Sequence, residues 1–520
     1  MFRLGVAALL LSALVASPSA DATTSADPQH TNPRAALAEK ALDKVTSLVD
    51  NLDQTDGDLT LALRDLAVLK GSLPAAEQAR ASTYLSRPTA NPNQCPDYAC
   101  YDRGAAVHRV CTARACVHYV RKTEDADNGV PSADEDRDGT PNYVERVLAT
   151  MSSVDQKYVD AGYRRPLGDG HRGGDDRPDV YLAQIGNQSL YGYCTTDADN
   201  VPSHGATWAY CVLDNDYARS EFPVHTPIQN MQVTAAHEYF HAVQFGYDIG
   251  EDAWFMEATA TWAEDEVFDK VNDNVSYLPI GPMGHPDLSL DTFRNGYWYG
   301  AWIFFRHVTE HFPQSQAGMP TIVRTMWRKA DAADADAPNL SSIEAIEAAL
   351  EGKDSTVAAQ FLRMAADNLH PRRWYDEGSR YPGTKVDGTW SLGPALTTKT
   401  AHVAEDHLTS ASYRFEPSVT GRQWRLGVTL DLAPLEEGSA AVVRVLMKAG
   451  GVRTNFVTLS DEGDFTGNFL FDSNRVKAVE VTVANGSTRY TCGVGTSWSC
   501  EGRPLDQRVA QKITAAAHQN

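Results

Sequence analysis

Two histidines four residues apart, His237 and His241, sit in a run whose apolar residues fall at Ile228, Met231, Val233, Ala236 and Phe240. Only a helix brings that spacing onto common faces. Pro227 stands near its start and Gly246 at its stop, so the pattern predicts a helix over Thr226 to Gly246. On such a helix both imidazoles can meet one ion. Glu238, the residue after the first histidine, is rotated by about 100° and reaches a water beside that ion rather than the ion itself. A second helix is expected over Ala253 to Phe268, carrying Trp254-Phe255-Met256-Glu257-Ala258-Thr259-Ala260-Thr261-Trp262-Ala263-Glu264.

The chemistry follows from the residue types. Zinc takes nitrogen and oxygen ligands, and a catalytic zinc keeps one position open for water. The metal acidifies that water and polarises a carbonyl, while an adjacent carboxylate takes the proton. Glu238 is the candidate general base.

The two helices together resemble the gluzincin clan, the thermolysin-like and related zinc peptidases. In that clan a helix bearing His-Glu-x-x-His is followed by a helix reading Trp-x-x-Glu-(Gly/Ala)-x-Ala-x-(Tyr/Trp)-x-Glu, which here runs from Trp254 to Glu264. The longer string His237 to Gln244 resembles a group of secreted bacterial metallopeptidases, over residues 95 to 320. The resemblance implies a zincin-type fold and makes Glu257 the third zinc ligand beside His237 and His241. Fifteen residues separate His241 from Glu257, slightly fewer than the clan usually shows. Glu264 falls on the later acid of the pattern. It stands two turns beyond Glu257 on the same face, where a carboxylate can receive the outer N–H of a ligating histidine. Tyr297-Trp298-Tyr299-Gly300 resembles the Tyr-x-x-Gly element of the clan's aminopeptidases, which makes Tyr297 the catalytic hydroxyl facing the oxyanion, with Tyr299 second.

Other metal readings fit less well. A metzincin would need glycine and then histidine or aspartate where Gln244 and Tyr247 stand. Asp248, Glu251 and Asp252 are rival third ligands. His307-Val308-Thr309-Glu310-His311 spells the inverted motif, near the end of an apolar helix expected over Tyr299 to Phe312.

A second metal loop is expected at Asp134-Glu135-Asp136-Arg137-Asp138-Gly139-Thr140-Pro141-Asn142-Tyr143-Val144-Glu145. Acids stand at its first, third and fifth positions, glycine at the sixth and glutamate at the twelfth, which is the calcium-loop spacing. The ligand set would be Asp134, Asp136, Asp138, Thr140, Asn142 and Glu145 around one Ca²⁺. Pro141 departs from a paired hand, so a lone structural loop is expected.

The ends and the composition set the context. Met1-Phe2-Arg3 precedes an apolar run from Leu4 to Ala16 and the small-residue site Ala20-Asp21-Ala22, so residues 1–22 read as a secretory signal and the protein as secreted and extracellular. At 520 residues, about two or three domains are expected. The formal charge of −22 argues against nucleic-acid or membrane partners; a protein or peptide substrate and a monomer are expected. All eight cysteines follow the leader, as in disulfide-bonded exported chains. Proximity favours Cys194 with Cys211 and Cys492 with Cys500, leaving Cys95, Cys100, Cys111 and Cys116 to pair among themselves.

Residues 23–94 read as two or three helices, for example Ala35 to Val49 and Thr60 to Leu69. Two readings stand for this segment: a pro-region that assists folding or blocks the site, or a plain helical subdomain. Residues 95–385 mix short strands, such as Val180 to Leu182, with helices. From 386 to 520 apolar residues alternate, at Trp424, Leu426, Val428, Leu430 and Leu432 and again at Val479, Val481 and Val483, which predicts a β-sandwich-like domain. The fold class is α+β.

The function expected is a zinc endopeptidase. Gly281-Pro282-Met283-Gly284 lacks the acid of the aminopeptidase element Gly-x-Met-Glu-Asn, which favours internal cleavage. The alternative is a zincin-fold protein without turnover that binds surfaces or glycans through its β-rich tail, and the intact Glu238 argues against it. A zinc hydrolase of another bond, such as an ester, is a third reading.

Overall fold

The computed structural model describes residues 33–50, 58–89 and 94–520; the expected leader lies outside the described residues. Three helices open the chain: α1 (Pro33–Asp50), α2 (Leu59–Leu69) and α3 (Ala75–Tyr84). A five-stranded sheet follows, built from β1 (His108–Cys111), β2 (Cys116–Tyr119), β3 (Asp179–Ala183), β4 (Gly192–Thr195) and β5 (Tyr210–Asp214). Its order is β1-β2-β3-β5-β4, so β4 is an edge strand, antiparallel to β5. Helix α4 (Asn142–Asp160) lies between β2 and β3 in sequence, and α5 (Pro227–Phe245) and α6 (Ala253–Phe268) follow the sheet.

Strands β2 to β5 are buried on both faces, and their side chains alternate between two cores. Val117, Val180, Leu182 and Leu213 point into the core shared with Val144, Met151, Tyr239 and Phe240 of α4 and α5. Tyr181, Ala183, Tyr193, Tyr210 and Val212 point the other way, onto Leu42, Val45, Leu63 and Leu66 of α1 and α2. The opening helices therefore cover the face of the sheet presented by β3, β4 and β5. A buried ion cluster fastens them there: Arg87, just after α3, reaches Asp169 at 2.6 Å, Asp179 at 2.6 Å and Asp197 at 2.9 Å.

Helix α5 departs from the amphipathic picture. The stripe Met231, Val233, Ala236 and Phe240 is buried, and so is the rest of the helix from Asn230 to Phe245 apart from half-buried Gln232. Neighbours on several sides leave it no solvent face, so its polar residues lie inside the protein. Its start is capped by Thr226, whose hydroxyl accepts from Gln229 N while the Gln229 side chain accepts from Thr226 N. The helix expected over Tyr299 to Phe312 is broken in two, α7 (Tyr297–Gly300) and α8 (Trp302–His311).

Residues 388–519 supply two further sheets. In the five-stranded one the order is Val452–Phe456, Ser439–Met447, Val476–Asn485, Thr409–Pro417 and Gly388–Leu392; the four-stranded one runs Asp464–Leu470, Trp424–Asp431, Val509–Gln519 and Thr398–Glu405. Leu426, Val428 and Leu430 stand opposite Ala517, Ala515 and Ile513 and pack on Val443, Val479 and Val481 of the other sheet. The architecture is mixed helix and sheet, as the alternating textures of the sequence predict. No helix among the described residues is long and apolar enough to cross a membrane.

Four disulfides are present: Cys95–Cys100, Cys111–Cys116, Cys194–Cys211 and Cys492–Cys500. Cys194–Cys211 ties the edge strand β4 to β5 across 17 residues of chain. Replacing both of those cysteines by alanine is expected to cost roughly 3 kcal/mol of stability, read from denaturant unfolding under non-reducing conditions.

Candidate metal centre

The site is made where α5 crosses α6. His237 and His241 lie one turn apart on α5, and Glu257 stands in the first turns of α6 facing them. Glu257 Oε2 is 3.2 Å from His237 Nε2, and Glu257 Oε1 is 3.3 Å from His241 Nε2. Ligand atoms about 2.0–2.1 Å from a tetrahedral ion lie about 3.3–3.4 Å from one another, so these gaps fit the edges of such a tetrahedron. His241 Nε2 and Glu257 Oε1 are buried and make no hydrogen bond. Orphaned polar atoms of this kind are costly in an interior, and a cation among them would satisfy both. The nitrogen, nitrogen, oxygen donor set fits zinc.

The outer ring nitrogens are fixed from behind. Glu264 Oε1 is 2.7 Å from His237 Nδ1, and Gln244 Oε1 is 2.7 Å from His241 Nδ1. Gln244 in turn donates to Met256 O at 2.8 Å and to Thr259 Oγ1 at 3.1 Å, which joins the orienting group of one helix to the ligand-bearing turn of the next. No motif in the sequence marks Gln244 for this role, although its spacing of three from His241 on one helix is a usable signal.

Electrostatics follow the burial. Burial alone would raise the Glu257 carboxyl; the charges of His241 and His237 and the hydrogen bond from His237 outweigh it and hold Glu257 at about 2. Burial pushes Glu264 up to about 7, against the hydrogen bond to His237. Burial also raises Glu238, opposed by the charges of His241 and His237. His237, which burial would lower, is instead held well above the ordinary histidine value by Glu257 and Glu264.

Beside the cluster lies a pocket of about 240 Å³, lined among others by His237, Glu238, Glu264, Tyr191, Tyr277, Tyr299, Asp58 and Leu59. Glu238 therefore shares a cavity with His237 while standing outside the three-residue cluster. Three of the lining residues, Leu48, Asp58 and Leu59, come from the opening helical segment, and nothing in the local sequence marks them.

Tyr297 is not brought to this site. Its hydroxyl donates to Leu288 O at 2.8 Å, and the ring faces a separate small cavity with Leu288, Phe361 and Met364. Tyr299 faces the metal ligands instead, its ring centroid 6.2 Å from that of His237. The reason is the turn: residues two apart on a helical turn point about 200° apart, so only one of the pair can face His237. Gly296, at φ +70°, sets where the turn begins. A Cβ at Gly300 would lie 2.5 Å from Gly281 Cα, so the backbones touch there and fix the turn's rotation.

The rival ligands are occupied elsewhere. Asp248 accepts from Gly205 N at 2.8 Å, Glu251 from Ser342 N at 3.0 Å and Asp252 from Cys500 N at 2.8 Å. Of the inverted motif, His307 Nε2 pairs with Gln360 at 3.1 Å, and Glu310 accepts from Asp376 N at 3.3 Å.

The acidic loop before α4 gathers three carboxylates. Oxygens of Asp134, Asp136 and Asp138 lie within 4.8 Å of one another, and Gly139 takes φ +95° at the sharp turn. Asp134 Oδ1 is buried and unpartnered, which again suits a cation. Desolvation and then the charges of Asp136, Asp138 and Asp134 raise the Glu145 carboxyl. Asn142 is engaged differently, because its Oδ1 accepts from Glu135 N at 2.7 Å and closes the loop onto the helix. Thr140 gives its N–H to Asp138 Oδ1 at 2.7 Å.

No protein-family model matches the chain, and no curated protein matches its sequence. Among solved structures, it shows slight similarity to CorA, a surface-associated copper-binding protein important in Methylomicrobium album BG8 copper acquisition. The identity is 9% over 26% of this chain and 98% of that one, with a TM-score of 0.15. A β-glucosidase from Paenibacillus barengoltzii is 10% identical over 34% of this chain and 18% of that one, with a TM-score of 0.12. Neither likeness bears on fold or chemistry.

Glu264→Ala is expected to weaken divalent-metal binding about 10–100-fold, because His237 loses the acceptor that fixes its ring. A competition titration against a chromophoric chelator reads that loss. The same titration run at falling pH should show weaker binding, since protons on the carboxylate-paired histidines compete with the metal.

Proposed function

We propose that the chain is a secreted zinc endopeptidase of the gluzincin type, with His237, His241 and Glu257 as zinc ligands and Glu238 as general base. The observation that carries this reading is the set of tetrahedron-sized gaps between Glu257 and the two imidazoles, with Glu238 opening onto the adjoining pocket. A bound zinc ion would supply Lewis-acid polarisation of the scissile carbonyl and acidify the attacking water. Glu238 takes the proton from that water as its oxygen bonds to the carbonyl carbon. The same carboxyl then delivers the proton to the amide nitrogen as the C–N bond breaks. Burial raises Glu238 toward the working pH, which suits a group that must both accept and return a proton. Tyr299, in place of Tyr297, is the hydroxyl positioned to donate to the developing oxyanion. Glu264 and Gln244 hold the two imidazoles in the tautomer that presents Nε2.

We infer Ca²⁺ for the loop from Asp134 to Glu145, with Asp134, Asp136, Asp138 and Glu145 as its side-chain ligands. Hard carboxylate oxygens around a glycine turn suit that ion.

Glu238→Gln is expected to keep about one zinc per chain and to lose at least a hundredfold in casein hydrolysis, whereas His237→Ala should lose the metal as well. Metal analysis beside a hydrolysis assay, with and without a chelator, checks both; a His237→Ala protein that retains zinc would overturn the ligand assignment. Calcium at a hundred times its dissociation constant should add about 2.7 kcal/mol of stability, and Asp136→Ala should abolish that gain in thermal unfolding.

A further inference from the structure

We propose that residues 58–60 hold the centre in a latent state, occupying the ground where a substrate carbonyl and its attacking water must meet. The inference rests on the peptidase reading above and names the regulation of that site. Asp58 caps α2: its Oδ1 accepts from Leu61 N at 2.9 Å. Its other oxygen, Oδ2, accepts from the Tyr299 hydroxyl at 3.0 Å. Two residues on, Thr60 Oγ1 donates to Glu238 Oε2 at 3.1 Å and accepts from Cys194 N at 3.0 Å. The start of one helix thus engages the general base, the oxyanion hydroxyl and a main-chain N–H of the edge strand β4.

Each of these contacts takes something a peptide substrate would need. An extended chain adds to a sheet edge through the edge strand's main-chain groups, and Thr60 already holds the N–H of Cys194. Glu238 must reach a water, and its Oε2 is turned to a side chain only 1% exposed. The 240 Å³ left beside it falls below the ~300–1,000 Å³ of sites that enclose even a drug-sized molecule.

The segment is firmly seated. Leu63 and Leu66 of α2 are fully buried against the sheet, Arg64 Nη1 donates to Glu251 O at 2.7 Å, and Arg87 lies among three aspartates. Thermal fluctuation of a side chain would not clear the site. The opening helices must be displaced from their face of the sheet, at least at the start of α2, before substrate enters.

The test uses the full chain loaded with Co²⁺, whose visible spectrum reports ligands at the metal, titrated with acetohydroxamate. The parent is compared with Asp58→Ser/Thr60→Ala, in which serine keeps the helix cap while both reaching groups are withdrawn. Latency predicts that the variant binds acetohydroxamate at least tenfold more tightly and cleaves a casein peptide at least tenfold faster. Equal affinity, or slower cleavage by the variant, would overturn it and make Asp58 and Thr60 partners of Glu238 in catalysis. Thr60→Ala alone, which keeps Asp58, gives the affinity reading again should the double variant fail to fold. Failure of the underlying reading looks different. If parent and variant both take up no Co²⁺, the metal centre falls and latency with it. If the tenfold affinity difference appears while neither protein cleaves, occlusion stands and the peptidase reading falls.

Discussion

One carboxylate between two imidazoles sets the demands that the rest of this fold answers. Glu257 and His241 are fully buried, and His237 nearly so. Three ionisable groups in an interior are tolerable only where each remaining donor or acceptor is met. Glu264 and Gln244 meet two of those needs directly. Thr259, which receives Gln244, is itself held by Trp327 Nε1 at 3.2 Å. The dependence thus passes from the ligands to their orienting groups and on to an aromatic side chain in a later helix. Trp327 also stacks on Phe255 and meets Phe240 edge-on, so it supports both helices of the cluster.

The parts of this arrangement that were legible in the sequence are those fixed by local geometry. Helical periodicity put His237 and His241 on one face, and Ala253 to Phe268 is a helix with the bounds read from its composition. The alternation from Trp424 to Asp431 is a strand for the same reason: a period of two residues is a backbone property. Val180 to Leu182 lies within β3, although an apolar run does not say that both its faces are covered.

What was not legible depends on chain that is far away or on the rotation of a short turn. Thr60 meets Glu238 across 178 residues, and no spacing rule spans that distance. The Tyr-x-x-Gly match favoured Tyr297 over Tyr299; a glycine at positive φ and a backbone contact between Gly281 and Gly300 turn Tyr299 to His237 instead. Asn142 stood at a ligand position of the calcium-loop pattern, yet the helix beginning there uses its side chain to bind Glu135 N. In each case a motif gave the residue type and the tertiary fold chose its partner.

The foot of α6 has a second consequence. Asp252, just before the helix, accepts from Cys500 N, and Trp254, in its first turn, donates to Ser499 Oγ at 3.0 Å. Ser499 also donates to Asp291 Oδ2 at 2.8 Å, where His407 meets the other carboxylate oxygen at 2.7 Å. A ribosome makes these partners more than two hundred residues apart, and the later one emerges last. The helix that carries Glu257 therefore reaches its final seating only after Ser499 and Cys500 have been made. A chain broken off before Ser499 lacks that keystone, so a distant stretch of sequence acts as a proofreader for a centre made long before it.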